Sequence, residues 1–382
     1  MNYIHNINMK TNKINISIII TLLLFFIISI LSIYATRSFL KIELSNLYLK
    51  QIIFYIIGFI IIIFTYFKGF NYLKKYHLLI YIGINILLLS LLIFGIEING
   101  SKCWFYIGPI NFQPSELMKI SLIITLSTII SKFNKKNKIT KKDEFIVLLK
   151  LLIITIIPSI LTFLEPDTGA VIIYLLIFIT MIFFTKLDKV WYKTFIISFI
   201  LLISTFLYFY FLQQDLFIKI VGYDIFYRID RILNWVNNSG FQLENSLIAI
   251  GSSGLFGFGY LKNTVYFPEP QTDFIFTTYT SNFGFLGAII LLFLLLIFDL
   301  NILRLASKKI SLQNKYILIG IFIMLFYGQI QNIGMTIGLL PITGIPLPFI
   351  SYGGSSLLSY LFIVGIILNI NKDLIKYRNK KV

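Results

Sequence analysis

The chain has 382 residues, 58% of them hydrophobic and 13% charged, with a mean hydropathy of +0.87; a soluble domain carries about 25% charged residues, so a water-soluble fold is excluded. The formal charge of +17 is divided among short basic clusters between apolar runs, which is the pattern of cytoplasmic membrane loops and not of a nucleic-acid surface. Cys103, the single cysteine, excludes an intramolecular disulfide and a cysteine-based zinc site, and His5 and His77, both near helix ends on one side, argue against a histidine triad.

A membrane helix needs about 20 apolar residues. In chain order the runs 14–34, 50–67, 77–96, 116–131, 145–164, 169–185, 194–212, 275–300, 316–336 and 355–371 predict ten spans in an all-α polytopic membrane protein. The first run is long enough to span, so no cleavable leader is needed. With both ends in the cytoplasm, 23 of the 33 Lys and Arg fall inside and 8 outside, and every inner segment is basic. The reading is of one domain over residues 1–382, with a large extracytoplasmic loop at 213–274.

This topology has a chemical consequence. Even-numbered helices run from outside to inside, so their N-termini, with unbonded N–H groups and positive dipole ends, face outward. Four of these starts carry capping residues: Gln113-Pro114-Ser115, Pro166-Asp167-Thr168, Thr272-Asp273 and Gly353-Gly354-Ser355. If they converge, the outer face holds a ring of helix ends suited to an anion.

The polar residues of note lie on that face. Gly100 to Pro109 contains Lys102, Cys103 and Trp104, and Trp104 reads either as an interfacial anchor or as a platform for a sugar ring. Glu116 and Lys119 share a helix face about one turn inside the membrane, as a structural ion pair or as a cation placed for phosphate. In Glu165-Pro166-Asp167-Thr168-Gly169, Asp167 is a helix cap or a second acid holding a metal. Arg228 and Arg231 lie among aromatic residues of the large loop, suited to headgroups or to diphosphate. A glycine-rich run, Gly251 to Gly259, matches no phosphate-binding loop. It leads past Lys262 to Phe267-Pro268-Glu269-Pro270-Gln271-Thr272-Asp273-Phe274, where an acid stands at the mouth of a membrane helix and needs a partner or a task. The segment 334–356 holds Pro341, Pro346 and Pro348 and the pair Gly353-Gly354. Such backbone is tolerated at membrane depth only against protein or a wet cavity, and it is expected to line the outer cavity.

Taken together these stretches resemble the SEDS family of bacterial cell-wall polymerases, RodA, FtsW and SpoVE, over nearly the whole chain. Four motifs carry the resemblance in order: Gln-Pro-Ser-Glu with a lysine three later, Pro-Asp-x-Gly, Ser-Leu-Ile-Ala-Ile-Gly-Ser leading to Pro-Glu-x-x-Thr-Asp-Phe, and Pro-Leu-Pro-Phe-x-Ser-Tyr-Gly-Gly-Ser-Ser. The wording at 334–341 leans toward the elongation member. The resemblance implies a peptidoglycan glycosyltransferase of the bacterial cytoplasmic membrane that polymerises lipid II beside a class B penicillin-binding protein, in elongation or division. It implies Asp273 as the essential acid, and matches on Glu116, Lys119, Asp167, Lys102, Arg231 and Lys262. A divalent ion, Mg2+ or Mn2+, is expected by the same analogy, with Asp273 and Asp167 as oxygen ligands.

Three positions depart from the family. Ser281 and Asn282 stand where two glutamates are common, Gln271 where histidine is frequent, and Cys103 where a second basic residue is usual. Two other function classes follow from the same residues. A precursor flippase would use broken helices and buried charges near mid-depth, and a non-catalytic scaffold for the penicillin-binding protein would tolerate loss of Asp273.

Overall fold

The computed structural model describes residues 2–39, 46–98, 101–107, 110–233, 240–262 and 265–379. Its helices are α1 (Asn2–Ala35), α2 (Leu47–Lys68), α3 (Asn71–Lys75), α4 (His77–Phe94), α5 (Pro114–Phe133), α6 (Lys141–Leu164), α7 (Thr168–Phe183), α8 (Lys189–Leu212), α9 (Gln214–Val221), α10 (Tyr223–Leu233), α11 (Gly240–Ser252), α12 (Ile275–Ala306), α13 (Leu312–Thr336) and α14 (Gly354–Asn379). Ten of them coincide with the ten expected spans. Eight are long and apolar enough to cross a bilayer. The other two are α7, which is apolar but has 16 residues, and α5, which carries Glu116, Lys119 and Lys132.

The reason α5 and α7 can depart from the lipid rule is their place in the bundle. Almost every residue of α5 is buried, including Ser121, Thr125, Ser127, Thr128 and Ser131. Ser127, Thr128 and Ser131 return hydrogen bonds to the preceding turn, as Thr128 Oγ1 does to Ile124 O at 2.7 Å, and Thr125 Oγ1 reaches His77 O on α4, so α5 needs no lipid-compatible face. It packs against α4, α7, α13 and α14. The seam between α2 and α14 depends on small residues: a side chain at Gly365 would meet Thr65, and one at Gly58 would meet Leu361. By contrast α8 buries only Tyr210 and turns its apolar residues outward.

The second outer loop forms a small antiparallel sheet, β1 (Ile96–Ile98), β2 (Ser101–Ile107) and β3 (Ile110–Phe112). Trp104 pairs with Ile96 and Phe105 with Phe112.

Part of the stretch expected as one long outer loop packs against the helix bundle. The helix α11 packs on α12 and α13, and Ser246 Oγ lies 2.6 Å from Thr277 Oγ1 and donates to Thr336 O at 2.8 Å. The chain then descends through the glycine-rich turn to the level of Phe285, roughly 15 Å along α12 at 1.5 Å per residue. There Phe285 N donates to Gly254 O (3.0 Å), Leu286 N to Leu255 O (3.1 Å) and Phe258 N to Ser281 O (2.9 Å). It returns beside its own start, where Asn245 Nδ2 donates to Tyr266 O at 2.9 Å. This is a re-entrant hairpin. It exists because α12 is broken at Gly284 (φ 69°, ψ −167°), and backbone groups released at membrane depth must find partners within the protein. Gly257, also at positive φ, lies so close to Asn282 and Gly284 that neither glycine leaves room for a side chain.

Candidate active site at the convergent helix ends

Four outward helix starts do meet. Asp167 caps α7 by accepting from Ala170 N through Oδ1 (3.0 Å), and its Oδ2 accepts from Gln113 Nε2 (2.9 Å) and Ser115 Oγ (3.0 Å) at the start of α5. Gln113 N donates to Ser355 Oγ on α14 at 3.0 Å. The residues before α14 bind those before α12: Ser351 Oγ donates to Thr272 O (2.7 Å) and Tyr352 N to Gln271 O (2.9 Å). These links run in series from α7 through α5 and α14 to α12. Of the expected caps Asp167 bonds as one, whereas Gln113 and Phe274, the N-caps of α5 and α12, make no side-chain capping bond, so Asp273 does not cap α12.

The proline-rich segment 341–353 is held by side chains of the first two spans and of α13. Ser29 Oγ donates to Ile350 O, Gln51 Nε2 to Ser351 O and Tyr55 OH to Phe349 O. On α13, Gln331 Nε2 donates to Pro341 O, and Asn332 Nδ2 donates both to Ile345 O and to Asp273 O, each at 2.9 Å. Asn332 thus fastens the turn bearing Asp273 to the segment that faces it.

At the starts of α5 and α7 is a cavity of about 160 Å³ lined by Trp104, Gln113, Glu116, Lys119, Asp167 and residues 343–346, among others. The expected lining by the proline-rich segment is therefore observed. Asp273 is not among the residues that line this cavity; it lies behind the wall residue Gly344, where a Cβ built on that exposed glycine would be 3.7 Å from Asp273 Oδ2. Asp273 keeps part of its surface exposed, yet Phe267 and Phe274 are buried beside it. Desolvation, with the nearby Glu269 charge adding to it, pushes its carboxyl up to about 7. Glu269 is a residue the sequence reading passed over. Its Oε2 accepts from Thr272 Oγ1 (2.7 Å) and Gln271 Nε2 (3.0 Å), and its place four residues before Asp273 was the available signal.

The other candidates divide. Lys119 Nζ is 2.7 Å from Glu116 Oε2, and both side chains are almost fully buried. The pair carries no net charge, so the structural reading of Lys119 fits the geometry better than that of a lone phosphate-binding cation. Asp167 is a cap, with three donors already on it. Lys102 is exposed on β2 and Lys262 is exposed in the returning arm of the hairpin, and neither lines the cavity. Lys262 belongs to the membrane-depth turn, its N–H bonded to Gly259 O, which places it near Asn282 and away from the ring. Arg231 lies on α10, with its side chain outside the described residues, as is that of Arg228.

The departures also find places. Asn282 Oδ1 accepts from Leu261 N (2.8 Å) and its Nδ2 donates to Thr278 O (2.8 Å), while Ser281 gives its carbonyl to Phe258. Both positions hold the hairpin against α12, outside the cavity walls. Cys103 is buried with Sγ 2.9 Å from Glu165 O. Beneath Asp167, Glu165 is wholly buried, and neither carboxyl oxygen has a hydrogen-bond partner among the described residues. Burial first, and the Asp167 charge second, push it up to about 9.

A family model described as a cell cycle protein, covering FtsW, RodA and SpoVE, matches residues 15–376. The chain is 31% identical to the probable peptidoglycan glycosyltransferase FtsW of Enterococcus hirae, covering 98% of this chain and 96% of that protein. It is 32% identical to the stage V sporulation protein E of Bacillus subtilis (95% and 98%) and 29% identical to the peptidoglycan glycosyltransferase RodA of Treponema pallidum (86% and 90%). Identity is level across these three names. The fold is similar to that of a chain in a solved structure described as the structural coordination of polymerization and crosslinking by a peptidoglycan synthase complex. There the TM-score is 0.76 at 24% identity, over 93% of this chain and 97% of that one. The rod shape determining protein RodA of Thermus thermophilus gives 0.66 at 22%, over 93% and 96%.

Proposed function

The chain belongs to the FtsW, RodA and SpoVE family, and from that membership we propose that it polymerises lipid II into glycan strands, with Asp273 activating the attacking sugar hydroxyl. It is a multi-pass membrane protein and a peptidoglycan glycosyltransferase. The finer reading places it in the bacterial cytoplasmic membrane, working on the outer face beside a class B penicillin-binding protein that crosslinks the product. The observation that carries the site assignment is the position of Asp273, an acid raised to about 7 that adjoins Gly344 in the wall of a cavity lined by the starts of α5 and α7.

Chain growth requires the 4-hydroxyl of one saccharide to attack the anomeric carbon of another, displacing undecaprenyl diphosphate. A sugar hydroxyl is a weak nucleophile, and a carboxylate within reach takes its proton as the new bond forms. An acid with an ordinary pKa would be a poor base for this; one raised to about 7 is matched to neutral pH. The departing diphosphate meets the positive ends of α5, α7, α12 and α14. The Glu116–Lys119 pair keeps one wall of the cavity rigid and polar, and Trp104 offers a ring face to a sugar.

A divalent ion fits this site in one form. Among the described residues no three His, Cys, Asp or Glu side chains come together as a metal cage, and Asp167 is already held by three donors. Magnesium commonly keeps its waters and uses one or two carboxylates plus substrate phosphates. In that form Asp273 would act as the carboxylate ligand of Mg2+ or Mn2+ instead of as the base, alongside the diphosphate, and the ion would supply neutralisation of the leaving charge.

The test uses the purified full-length chain, with and without its cognate class B partner, labelled lipid II and a divalent metal. Glycan ladders that disappear in Asp273→Ala support the reading. Ladders undiminished in Asp273→Ala would remove Asp273 from the chemistry.

A further inference from the structure

Most of the proline-rich segment is fixed by its own polar atoms, with one exception at the cavity. Pro341 O and Ile345 O accept from Gln331 and Asn332, Ile342 packs on the cluster of Ala249, Phe267 and Phe274, and Ile345 is in the main core. Thr343 stands between these anchors. It lines the cavity, and its Oγ1 is buried without a hydrogen-bond partner among the described residues. A hydroxyl in that condition costs stability unless something bonds to it, and native proteins keep few of them.

Its position narrows the choice of partner. The Thr343 carbonyl lies against Gly169 at the start of α7, within 3.2 Å of where a Cβ there would sit, and the next residue, Gly344, separates the cavity from Asp273 Oδ2. Two more buried acceptors without partners among the described residues, Gln271 Oε1 and Asn332 Oδ1, belong to residues beside Asp273 or bonded to it. Unsatisfied polar atoms therefore gather around the acid. A hydroxyl can donate and accept, so Thr343 Oγ1 can bond either a donor or an acceptor of a ligand.

We propose that Thr343 is a substrate-contacting residue whose Oγ1 hydrogen-bonds a hydroxyl or amide of the saccharide presented to Asp273. The inference rests on the glycosyltransferase reading of Asp273. It adds a specificity element: the site recognises the sugar by a polar contact one residue from the gap at Gly344, so a ligand lacking that group leaves Oγ1 unpaired.

Thr343→Val keeps the shape and removes the hydroxyl. With the full-length chain, its partner and labelled lipid II, kcat/KM should fall roughly tenfold, the size of one lost hydrogen bond. The loss should lie mainly in KM, while Thr343→Ser stays within about twofold of wild type. Thermal melting of the detergent-solubilised proteins checks the fold, and Thr343→Ala serves as the second variant if valine disturbs it. Wild-type kcat/KM in a folded Val or Ala variant overturns the proposal, as does a serine variant impaired as much as valine, which would mean a packing role. Asp273→Asn is measured alongside. Full activity there sinks the underlying reading, whereas an inactive Asp273→Asn beside a normal Thr343→Val sinks only the role of Thr343.

Discussion

Asp273 and Glu165 show how burial sets the work of an acid. Both are raised, but Asp273 adjoins Gly344 in the cavity wall while Glu165 lies sealed beneath Asp167. For Asp273 the reactive form is the carboxylate, and its pKa near 7 means the fraction in that form rises tenfold per pH unit below neutrality. Polymerisation rate should therefore climb with a slope of one up to about pH 7 and then level, in initial rates of ladder formation; a flat profile from pH 5 to 8 would exclude Asp273 as the base. For Glu165 the consequence is stability. Its folded pKa lies above the unfolded one, so the folded state binds the extra proton: stability is full below about 4.5 and is lost as pH rises toward about 9, at roughly 1.4 kcal/mol per unit. Glu165→Gln should raise the melting temperature at pH 8 and flatten its pH dependence. The buried Glu116–Lys119 pair gives the third residue-scale test. Lys119→Met strands a buried carboxylate and should cost about 3–5 kcal/mol, whereas Lys119→Met with Glu116→Leu should recover most of it. Equal melting of single and double variants would show the pair to be uncoupled.

At the scale of elements the re-entrant hairpin is the feature that the sequence concealed. The ten long helices were legible because apolar run length is a local property, and Glu116–Lys119 because a spacing of three fixes a helix face. The hairpin is neither. With 13 residues, α11 is too short to register as a span, and the bonds that hold the glycine-rich turn come from residues 281–286, inside what reads as an uninterrupted apolar helix. Gly284 gave no warning, since one glycine in a membrane helix is ordinary. The apparent loss of two acidic residues at Ser281 and Asn282 has a related explanation: these positions serve the hairpin, and an asparagine that both donates and accepts suits that place. Gly284→Ala tests the element directly. A methyl there would run into the backbone of Leu255 and Gly257 at a φ that disfavours any L side chain. Several kcal/mol should be lost, seen as a large drop in melting temperature or in folded yield, while Gly83→Ala on α4, where the added methyl meets nothing within 4 Å, should be nearly neutral. Similar melting for both variants would show that the hairpin is not clamped.

For the whole molecule, the topology explains why the chemistry collects on one face. In the expected topology, with both ends inside, the N-termini of alternate helices face outward, and hydrogen bonds link the starts of α7, α5, α14 and α12 beside a cavity lined by α5, α7 and residues 343–346. Among the described residues these starts form no metal cage, since the carboxylates are distributed: Asp167 to capping, Glu116 to Lys119, Glu165 to the interior, and Asp273 with Glu269 behind Gly344. The order of assembly follows. On the proposed reading a divalent ion would have few protein oxygens to bind before substrate arrives and would take the rest from the diphosphate, so protein and ion alone should associate weakly. Millimolar Mg2+ should leave the melting temperature of the substrate-free chain within about 1 °C of its value in EDTA, because a ligand that hardly binds the folded state hardly stabilises it. Polymerisation from lipid II should nonetheless stop in EDTA and return with Mg2+ or Mn2+. Strong stabilisation by metal alone would mean a preformed cage that includes residues beyond Asp273, and undiminished ladders in EDTA would leave the helix ends as the main counter-charge to the diphosphate.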